Sequence, residues 1–324
     1  MNSFLQAIQA GAGLSWKGIQ SLVELQPRYL SVLNGIVGDT LAKHKSRLAI
    51  PMSLQGEIFG GRICVLVHGL CDSETTWNFP ENPRRNYGAL LQEHLAYSPL
   101  YVRYNSGLHI STNGRQLAKL LGEKIASQNR NIRDLIFIGH SMGGLVVRSA
   151  CHYAKQAGAT WVDRVRKIFL LGTPHLGTDL EKLGNLTSTI LRVIPNPVTM
   201  GLAALGNMRS AGIKDLRFGY LLDQDWKGRD ADALWRNNSH PVPLLEGVEH
   251  YQIAGTLAKK SDHFLAHYFG DGLVPSRSSA GRSLRKSKTI PFSQEHFRVM
   301  KGLSHGSLAH HHEVYEQIRR WCAA

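Results

Sequence analysis

Apolar residues along this chain follow two patterns in turn, one typical of buried strands and one typical of helices. Short runs rich in β-branched residues and ended by glycine predict parallel strands. These runs are Gly61 to Leu70 (GRICVLVHGL), Leu100 to Tyr104 (LYVRY), Leu135 to Ile138 (LIFI), Lys167 to Leu171 (KIFLL), Tyr251 to Gly255 (YQIAG) and Lys288 to Phe292 (KTIPF). Helical spacing occurs at 114–127, 143–157 and 314–321. The alternation predicts an α/β fold with a mostly parallel central sheet and helices on both faces.

Residues 1–55 precede this pattern and are predicted to be an N-terminal helical extension. One helical face would carry Leu22, Leu25, Tyr29, Leu33, Ile36 and Val37. Such a face could bind a membrane or a partner, or it could pack on the main domain. We favour packing, because single apolar faces usually pack internally.

Residues 178–245 interrupt the alternation and are predicted to form an inserted helical cap or lid. The insertion divides the α/β core into a first half at 56–177 and a second half at 246–324. Its apolar residues could receive an acyl chain or could fix the cap to the core, and the sequence favours neither. They are Leu183, Leu186, Ile190, Leu191, Val193, Met200, Leu202, Leu205 and Met208.

Composition indicates an ordered globular protein with a basic surface. The chain is 43% apolar and 19% charged, with a formal net charge of +14. This excess would attract anionic lipid or an acidic partner, but we find no nucleic-acid motif and expect no nucleic-acid binding. The basic stretch 277–288 (RSSAGRSLRKSK) is a candidate for contact with lipid headgroups or acidic substrates, with a solvated loop as the alternative.

The four cysteines are scattered, which is typical of free thiols in a reducing compartment. We find no signal peptide and no apolar run of the roughly 20 residues needed to cross a bilayer. The expected location is therefore cytoplasmic, with peripheral membrane contact as a further hypothesis.

The clearest candidate for a nucleophile is Ser141 in Gly139-His140-Ser141-Met142-Gly143. A Gly-x-Ser-x-Gly pentapeptide allows a sharp strand-to-helix turn that exposes the serine. A second match surrounds Ser304, so context must separate the two. A predicted strand precedes Ser141 and a predicted helix follows it, whereas Ser304 has no acid and histidine after it in the required order. We therefore reject Ser304 as the nucleophile.

A catalytic serine needs a histidine to take its proton and a carboxylate to orient that histidine. Hydrolases built on such a sheet place the acid and then the histidine after the serine. Asp271 follows the YQIAG strand in a Gly-Asp-Gly turn and is our choice, with Asp262 as runner-up and an ordinary turn aspartate as the alternative.

His305 is the predicted base, because it lies between the last strand region and the final helix. His296, His310, His311 and His312 compete with it. Three consecutive histidines cannot all face one ion on a helix, so we predict a solvated helix start there and no metal site.

The backbone N–H groups of Leu70 and Met142 are the predicted oxyanion-hole donors, since one follows the strand that ends in His-Gly and the other follows the serine. His68 itself is interpreted as a buried packing histidine.

Five segments together carry a family resemblance: VLVHGL, IGHSMGGLVVRSA, FLLGTPHLGTDLEK, Phe269 to Ala280, and GLSHGSLAHHHEVYEQIRRW. Over roughly residues 60–322 they resemble bacterial lipase- and esterase-like α/β-hydrolases related to the GPI inositol-deacylase group. The resemblance implies the α/β-hydrolase fold and ester hydrolysis. It also implies Ser141, Asp271 and His305 as the triad, and a variable cap. The family often has Asn before the catalytic histidine, where this chain has Ser304.

The leading hypothesis is a serine esterase or lipase that forms an acyl-enzyme, needs no cofactor and acts on a small-molecule or lipid ester. A thioesterase or acyltransferase would use the same triad. A non-catalytic protein that retains the scaffold and docks on anionic membrane or a partner is the alternative from another class. The oligomeric state does not follow from the sequence.

Overall fold

The computed structural model describes residues 27–128, 131–178, 210–228, 239–257 and 290–323. Helices and strands follow one another along these ranges. In chain order they are α1 (Pro27–Lys43), β1 (Ser53–Gln55), β2 (Arg62–Val67), β3 (Asn78–Phe79), β4 (Asn82–Asn86), α2 (Tyr87–Leu95), β5 (Ser98–Arg103), α3 (Ile110–Ala126), β6 (Asp134–His140), α4 (Met142–Gln156), β7 (Val165–Leu171), α5 (Ala211–Phe218), α6 (Asp223–Trp226), β8 (Glu249–Thr256), β9 (Phe297–Lys301) and α7 (His312–Ala323).

The described strands form a seven-stranded sheet in the order β1-β5-β2-β6-β7-β8-β9, and β3 and β4 form a separate hairpin. β1 pairs antiparallel with β5, and every other pair in the large sheet is parallel. β6 is therefore the central strand of the sheet. The loops after β2, β6 and β7 meet at one edge, because neighbouring parallel strands end on the same side.

Helices cover both faces of the sheet, as the βα alternation predicts. Residues of α1, α3 and α4 pack on one face with the β2 side chains Ile63, Val65 and Val67. Residues of α2 and α7 pack on the other face with Cys64 and Leu66. β2 is buried on both sides, since successive side chains of a strand point to opposite faces.

The described part of the N-terminal extension is packed on the core. Val32, Leu33, Ile36 and Val37 of α1 are buried in the same cluster as α3 and α4. Asn34 Nδ2 donates to Leu48 O at 2.7 Å, which fastens the helix to the chain that follows it. The predicted face residues Leu22 and Leu25 lie outside the described residues.

Most predicted elements match the observed ones within a few residues, but the strand predicted at Lys288 to Phe292 does not. Residues 290–292 are described and form no strand, and the last strand of the sheet is β9 at 297–301. Pro291 has no backbone N–H to give to a ladder. β9 is largely exposed and lacks a continuous apolar run, so its sequence gives no burial signal.

Within the range predicted as a cap, 178–245, the described residues include two short helices, α5 and α6. Asp215 of α5 is buried, accepts from Ile110 N at 2.8 Å, and lies 3.0 Å from His109 Nδ1. Trp226 of α6 stacks on the ring of His109. These contacts anchor both helices to the start of α3. The apolar residues named for the cap between 183 and 208 lie outside the described residues.

Within the described ranges, every helix is too short or too polar to cross a membrane.

Candidate active site

Ser141 is the single residue between the end of β6 and the start of α4. Its backbone has φ 54° and ψ −124°, a conformation that L residues rarely adopt. Ser141 N donates to Leu171 O at 2.8 Å, and Ser141 O accepts from Gly144 N at 3.1 Å. The turn is therefore fixed on both sides, by β7 and by the first turn of α4.

The glycines around Ser141 are required by close backbone contacts. A Cβ added to Gly143 would lie 2.2 Å from Val67 O, and one added to Gly139 would lie 2.6 Å from Gly144 Cα. A Cβ on Gly144 would meet the side chain of Thr173. Only hydrogen fits at these positions, so β2, β6 and α4 can approach closely enough to form the sharp turn.

His305 lies beside this turn, after β9 and at the start of a 3₁₀ turn over Gly306–Ala309. His140 Nε2–H donates to the His305 carbonyl oxygen at 3.0 Å. A Cβ on Gly172 would lie 2.9 Å from both Cε1 and Nδ1 of His305. Gly172 directly follows Leu171, whose carbonyl accepts from Ser141 N. The structure therefore brings Ser141 and His305 to the same edge of the sheet, from positions 164 residues apart.

The loop after β2 forms the third side of the site. A Cβ on Gly69 would lie 3.1 Å from the Ser141 Cβ, so the loop passes directly over the serine. Tyr104 Oη donates to His68 O at 2.8 Å, and Cys71 N donates to Ser106 Oγ at 3.0 Å. These bonds hold the loop on either side of Leu70.

Met142 opens α4, where the first N–H groups of a helix have no partner within the helix. The predicted oxyanion-hole donors thus both lie beside Ser141, Leu70 on the loop after β2 and Met142 as the first residue of α4. The positive end of the helix dipole also points toward the serine.

His68 is a packing residue in the structure, which is the role given to it from the sequence. Its ring is buried and stacks on Tyr104 with 4.3 Å between ring centroids. Burial lowers the pKa of His68 below its ordinary value, so the ring is neutral near pH 7.

The predicted acid of the site lies outside the described residues. Asp271, the predicted acid, and Asp262, its runner-up, both lie in 258–289, as does the basic stretch 277–288. The acid therefore stays a prediction from the order of residues along the chain.

The competing histidines have other contacts. His312 Nε2 lies 2.6 Å from Glu81 Oε1 on an exposed surface, and His310 Nδ1 lies 3.0 Å from Thr76 O. His296 packs on the ring of Tyr251. Across the described parts of the chain, no three His, Cys, Asp or Glu side chains are grouped as metal ligands.

Sequence reasoning missed Gly172 and Tyr104. It also missed Arg148 of α4, which is buried and donates to Val242 O. Gly172 follows a predicted strand, so its role as a close-approach position had a visible signal. Tyr104 had none, because its bond to His68 O joins residues 36 apart. Arg148 was signalled only by a charge within an apolar helix, GGLVVRSA.

Comparison with known proteins adds a family similarity and a fold. Residues 60–215 match the family described as "Putative serine esterase (DUF676)". The comparison with curated proteins returned no match. Among solved structures, the mature lipase BlEst2 of Bacillus licheniformis is similar at 17% identity. That match has a TM-score of 0.50 over 84% of this chain and 97% of the lipase chain.

A malate-bound thermophilic esterase from Thermogutta terrifontis is similar at 16% identity and a TM-score of 0.45, over 84% of this chain and 93% of the esterase chain. The similarity to the GPI inositol-deacylase group stays a prediction. The mostly parallel sheet, the helices on both of its faces and the structural match to BlEst2 together show that this chain has the α/β-hydrolase fold.

Proposed function

We propose that the protein is a serine hydrolase that cleaves carboxylic esters through an acyl-enzyme on Ser141. The observation that carries this proposal is the position of Ser141, held at a positive φ between strand and helix and bordered by His305. Such a turn costs backbone strain of about 1–3 kcal/mol, and strain of this kind is concentrated at functional sites. The match of residues 60–215 to a family described as serine esterases supports the same chemistry.

In the first half of the reaction, Ser141 Oγ attacks the ester carbonyl carbon while His305 accepts the hydroxyl proton. The tetrahedral intermediate then collapses, its bond to the alcohol oxygen breaks, and His305 returns the proton to the departing alcohol. Asp271 orients the imidazole and stabilises its protonated form. The products of this half are a free alcohol and an acyl group on Ser141.

In the second half, water attacks the acyl carbon and His305 takes a proton from it. Collapse of the second intermediate releases the carboxylic acid and returns the proton to Ser141 Oγ. The reaction consumes one ester and one water and needs no oxidant or reductant.

Leu70 and Met142 would donate their backbone N–H groups to the oxygen that becomes negative in each intermediate. Donors fixed by the backbone need no reorganisation during the reaction. The bonds from Tyr104 to His68 O and from Cys71 N to Ser106 would hold the Leu70 side of this arrangement in place.

A fluorophosphonate probe and a series of p-nitrophenyl esters of graded chain length test the proposal. We expect wild type to be labelled and to turn over esters, and Ser141→Ala to lose both. The matched control is Ser304→Ala, which removes the serine of the second pentapeptide. Ser304 is exposed and bonds to Ser307, so this variant should retain labelling and turnover.

The acid is tested by Asp271→Asn against Asp262→Asn. Loss of the triad carboxylate lowers turnover on the order of 10⁴-fold, so Asp271→Asn should show this loss and Asp262→Asn should not. A folded wild type that neither reacts with the probe nor hydrolyses any ester would overturn the proposal and leave a non-catalytic protein with a hydrolase scaffold.

A further inference from the structure

A cavity of about 310 Å³ lies beside α4, away from Ser141. It is enclosed by the second half of α4, by β7, by the start of β8 and by the segment that precedes β8. The described residues that line it are Arg148, Cys151, His152, Lys155, Gln156, Ile168, Pro243, Leu244, Leu245 and His250. Arg148 is seven residues beyond Ser141 and Lys155 is fourteen beyond it, roughly 10 and 21 Å along the helix. The cavity is therefore separate from the candidate active site.

Arg148 and Lys155 are the two charged residues of the described lining, and both are cations. His152 and His250 also line it, but burial lowers the pKa of each ring, so both are neutral at pH 7. None of the described lining residues carries a carboxylate. Lys155 is exposed and His152 half-buried, while Arg148 and His250 are buried. One cation thus lies at the solvent edge of the cavity and the other in its interior.

Arg148, the buried one of the two cations, has incompletely satisfied hydrogen-bond donors. Its Nη2 donates to Val242 O at 2.7 Å, and its Nη1 lies 3.4 Å from His175 Nδ1. The Nε atom is buried without a hydrogen-bond partner. In the described part of the chain, no carboxylate lies within ion-pair distance of this guanidinium.

A buried cation without an anion is costly, and proteins usually pair it. Burial lowers the pKa of Arg148 to about 10, which still leaves the guanidinium protonated at pH 7. The charge therefore persists in the interior, at the wall of a cavity that is open to ligands. An oxyanion placed there would accept hydrogen bonds from the remaining N–H groups of the planar Arg148 guanidinium.

The other half of the lining is apolar. Ile168, Leu244 and Leu245 would contact the uncharged part of a ligand whose anionic group meets Arg148. The volume is at the lower end of the range for small-molecule sites, about 300–1,000 Å³.

We propose that this cavity binds a small amphiphilic oxyanion, a carboxylate or a phosphate monoester, with its charged group on Arg148 and its apolar part along Ile168 and Leu245. Lys155 attracts the anion at the rim. The site is independent of the ester-hydrolysing function proposed for Ser141, so either can fail without the other.

Isothermal titration calorimetry of the full chain at pH 7 and low salt tests the site with hexanoate, hexyl phosphate, inorganic phosphate and hexyltrimethylammonium. We expect one of the two amphiphilic anions to bind with 1:1 stoichiometry, and its identity assigns the anionic group as carboxylate or phosphate. Inorganic phosphate should bind more weakly than the better amphiphile, because it lacks the apolar part. Hexyltrimethylammonium carries the opposite charge and should not bind.

Three substitutions test whether the amphiphilic anion binds in this cavity. Arg148→Met should weaken it on the order of 10- to 100-fold, the usual contribution of a hydrogen bond to a charged group. Lys155→Gln, on the exposed rim, should weaken it about 2- to 5-fold and reduce its salt dependence. Lys119→Gln changes the same charge on α3, where the side chain is 79% exposed, and should leave the affinity unchanged.

Three results would overturn the proposal. The first is no binding of either amphiphilic anion to the folded wild type. The second is that a control ligand binds as tightly as the better amphiphilic anion. If hexyltrimethylammonium does so, the charge of the ligand has no role, and if inorganic phosphate does so, the apolar wall has none. The third is an affinity that neither Arg148→Met nor Lys155→Gln changes. If Arg148→Met does not fold, Lys155→Gln and its matched control decide the outcome.

Discussion

Ser141 occupies a backbone conformation that its own side chain disfavours. With φ 54° and ψ −124°, the Cβ is crowded by the neighbouring peptide groups, and glycine is the residue that tolerates such angles. The hydrogen bonds from Ser141 N to Leu171 O and from Gly144 N to Ser141 O hold the angles in place. The molecule therefore sacrifices some stability to keep this hydroxyl at the edge of the sheet.

Comparison of Ser141→Gly with Ser141→Ala measures this strain, because both variants lack the hydroxyl. We expect the glycine variant to have the higher free energy of unfolding, by about 1 kcal/mol after the entropy cost of glycine is deducted. Urea unfolding of the pair gives the difference. Ser127 is the matched control, since its φ of −70° is ordinary and glycine should be the less stable choice there. Equal stability of the two Ser141 variants would show that the turn is unstrained.

At this scale the sequence favours Ser141 and His305 as catalytic candidates because their contexts differ from those of their competitors. Ser141 has a strand before it and a helix after it, and Ser304 does not. The residues that support the site could not be recognised in the same way. Tyr104 holds His68 O, and Gly172 makes room for the His305 ring, through contacts between segments that are distant in sequence.

At the scale of secondary-structure elements, the burial of a strand decided whether its position could be predicted from the sequence. The strands β2, β6, β7 and β8 are buried over nearly their whole length, so their apolar runs were visible. β9 is an edge strand with a largely exposed pattern, and the apolar residues of 288–292 drew the prediction to the wrong segment. Edge position and exposure are tertiary properties, which a local pattern does not contain.

α1 is an element whose contribution to the site only the structure reveals. A Cβ on Gly35 would lie 2.2 Å from Cys71 Sγ and 2.8 Å from the Cys71 Cα. Cys71 has φ 61° and directly follows Leu70, the predicted oxyanion donor. The helix therefore packs against the back of the loop that borders Ser141.

Gly35→Ala should consequently lower both stability and ester turnover, although alanine normally stabilises a helix interior by about 0.5–1 kcal/mol relative to glycine. The added methyl must displace Cys71, and a shift of the adjacent Leu70 N–H would weaken the transition-state stabilisation proposed for it. Turnover of p-nitrophenyl esters and urea unfolding measure the two effects. Gly122→Ala in α3 is the control, because its nearest neighbour would lie 3.5 Å away, and we expect it to be neutral or stabilising. Unchanged turnover in Gly35→Ala would separate α1 from the site.

At the scale of the whole molecule, buried histidines oppose folding in acid. Burial lowers the pKa values of His68 and His175, and Arg148 and His250 lower that of His175 further. Burial is also the largest cause that lowers the pKa of His250 to about 4, with smaller contributions from Arg148 and His296. The unfolded chain binds protons at these rings at a higher pH than the folded chain does. Stability is therefore full above the ordinary histidine pKa and is lost as the pH falls toward the folded values.

His250 provides a measurable share of this loss, because its ordinary value of 6.5 and its folded value of about 4 define the window. Between pH 7.5 and 4.5, protonation of this ring in the unfolded chain should remove about 2.5 kcal/mol of the free energy of unfolding, since one pKa unit corresponds to about 1.4 kcal/mol. His250→Asn can keep a donor to Val248 O without a titrating ring, so its stability should fall less steeply over this range in urea unfolding. His44→Asn removes an exposed ring that is in water in both states, so the wild-type slope should persist. Parallel curves for wild type and His250→Asn would mean that the folded His250 binds its proton as readily as the unfolded one. Burial at the start of β8 would then not disfavour the protonated His250 ring.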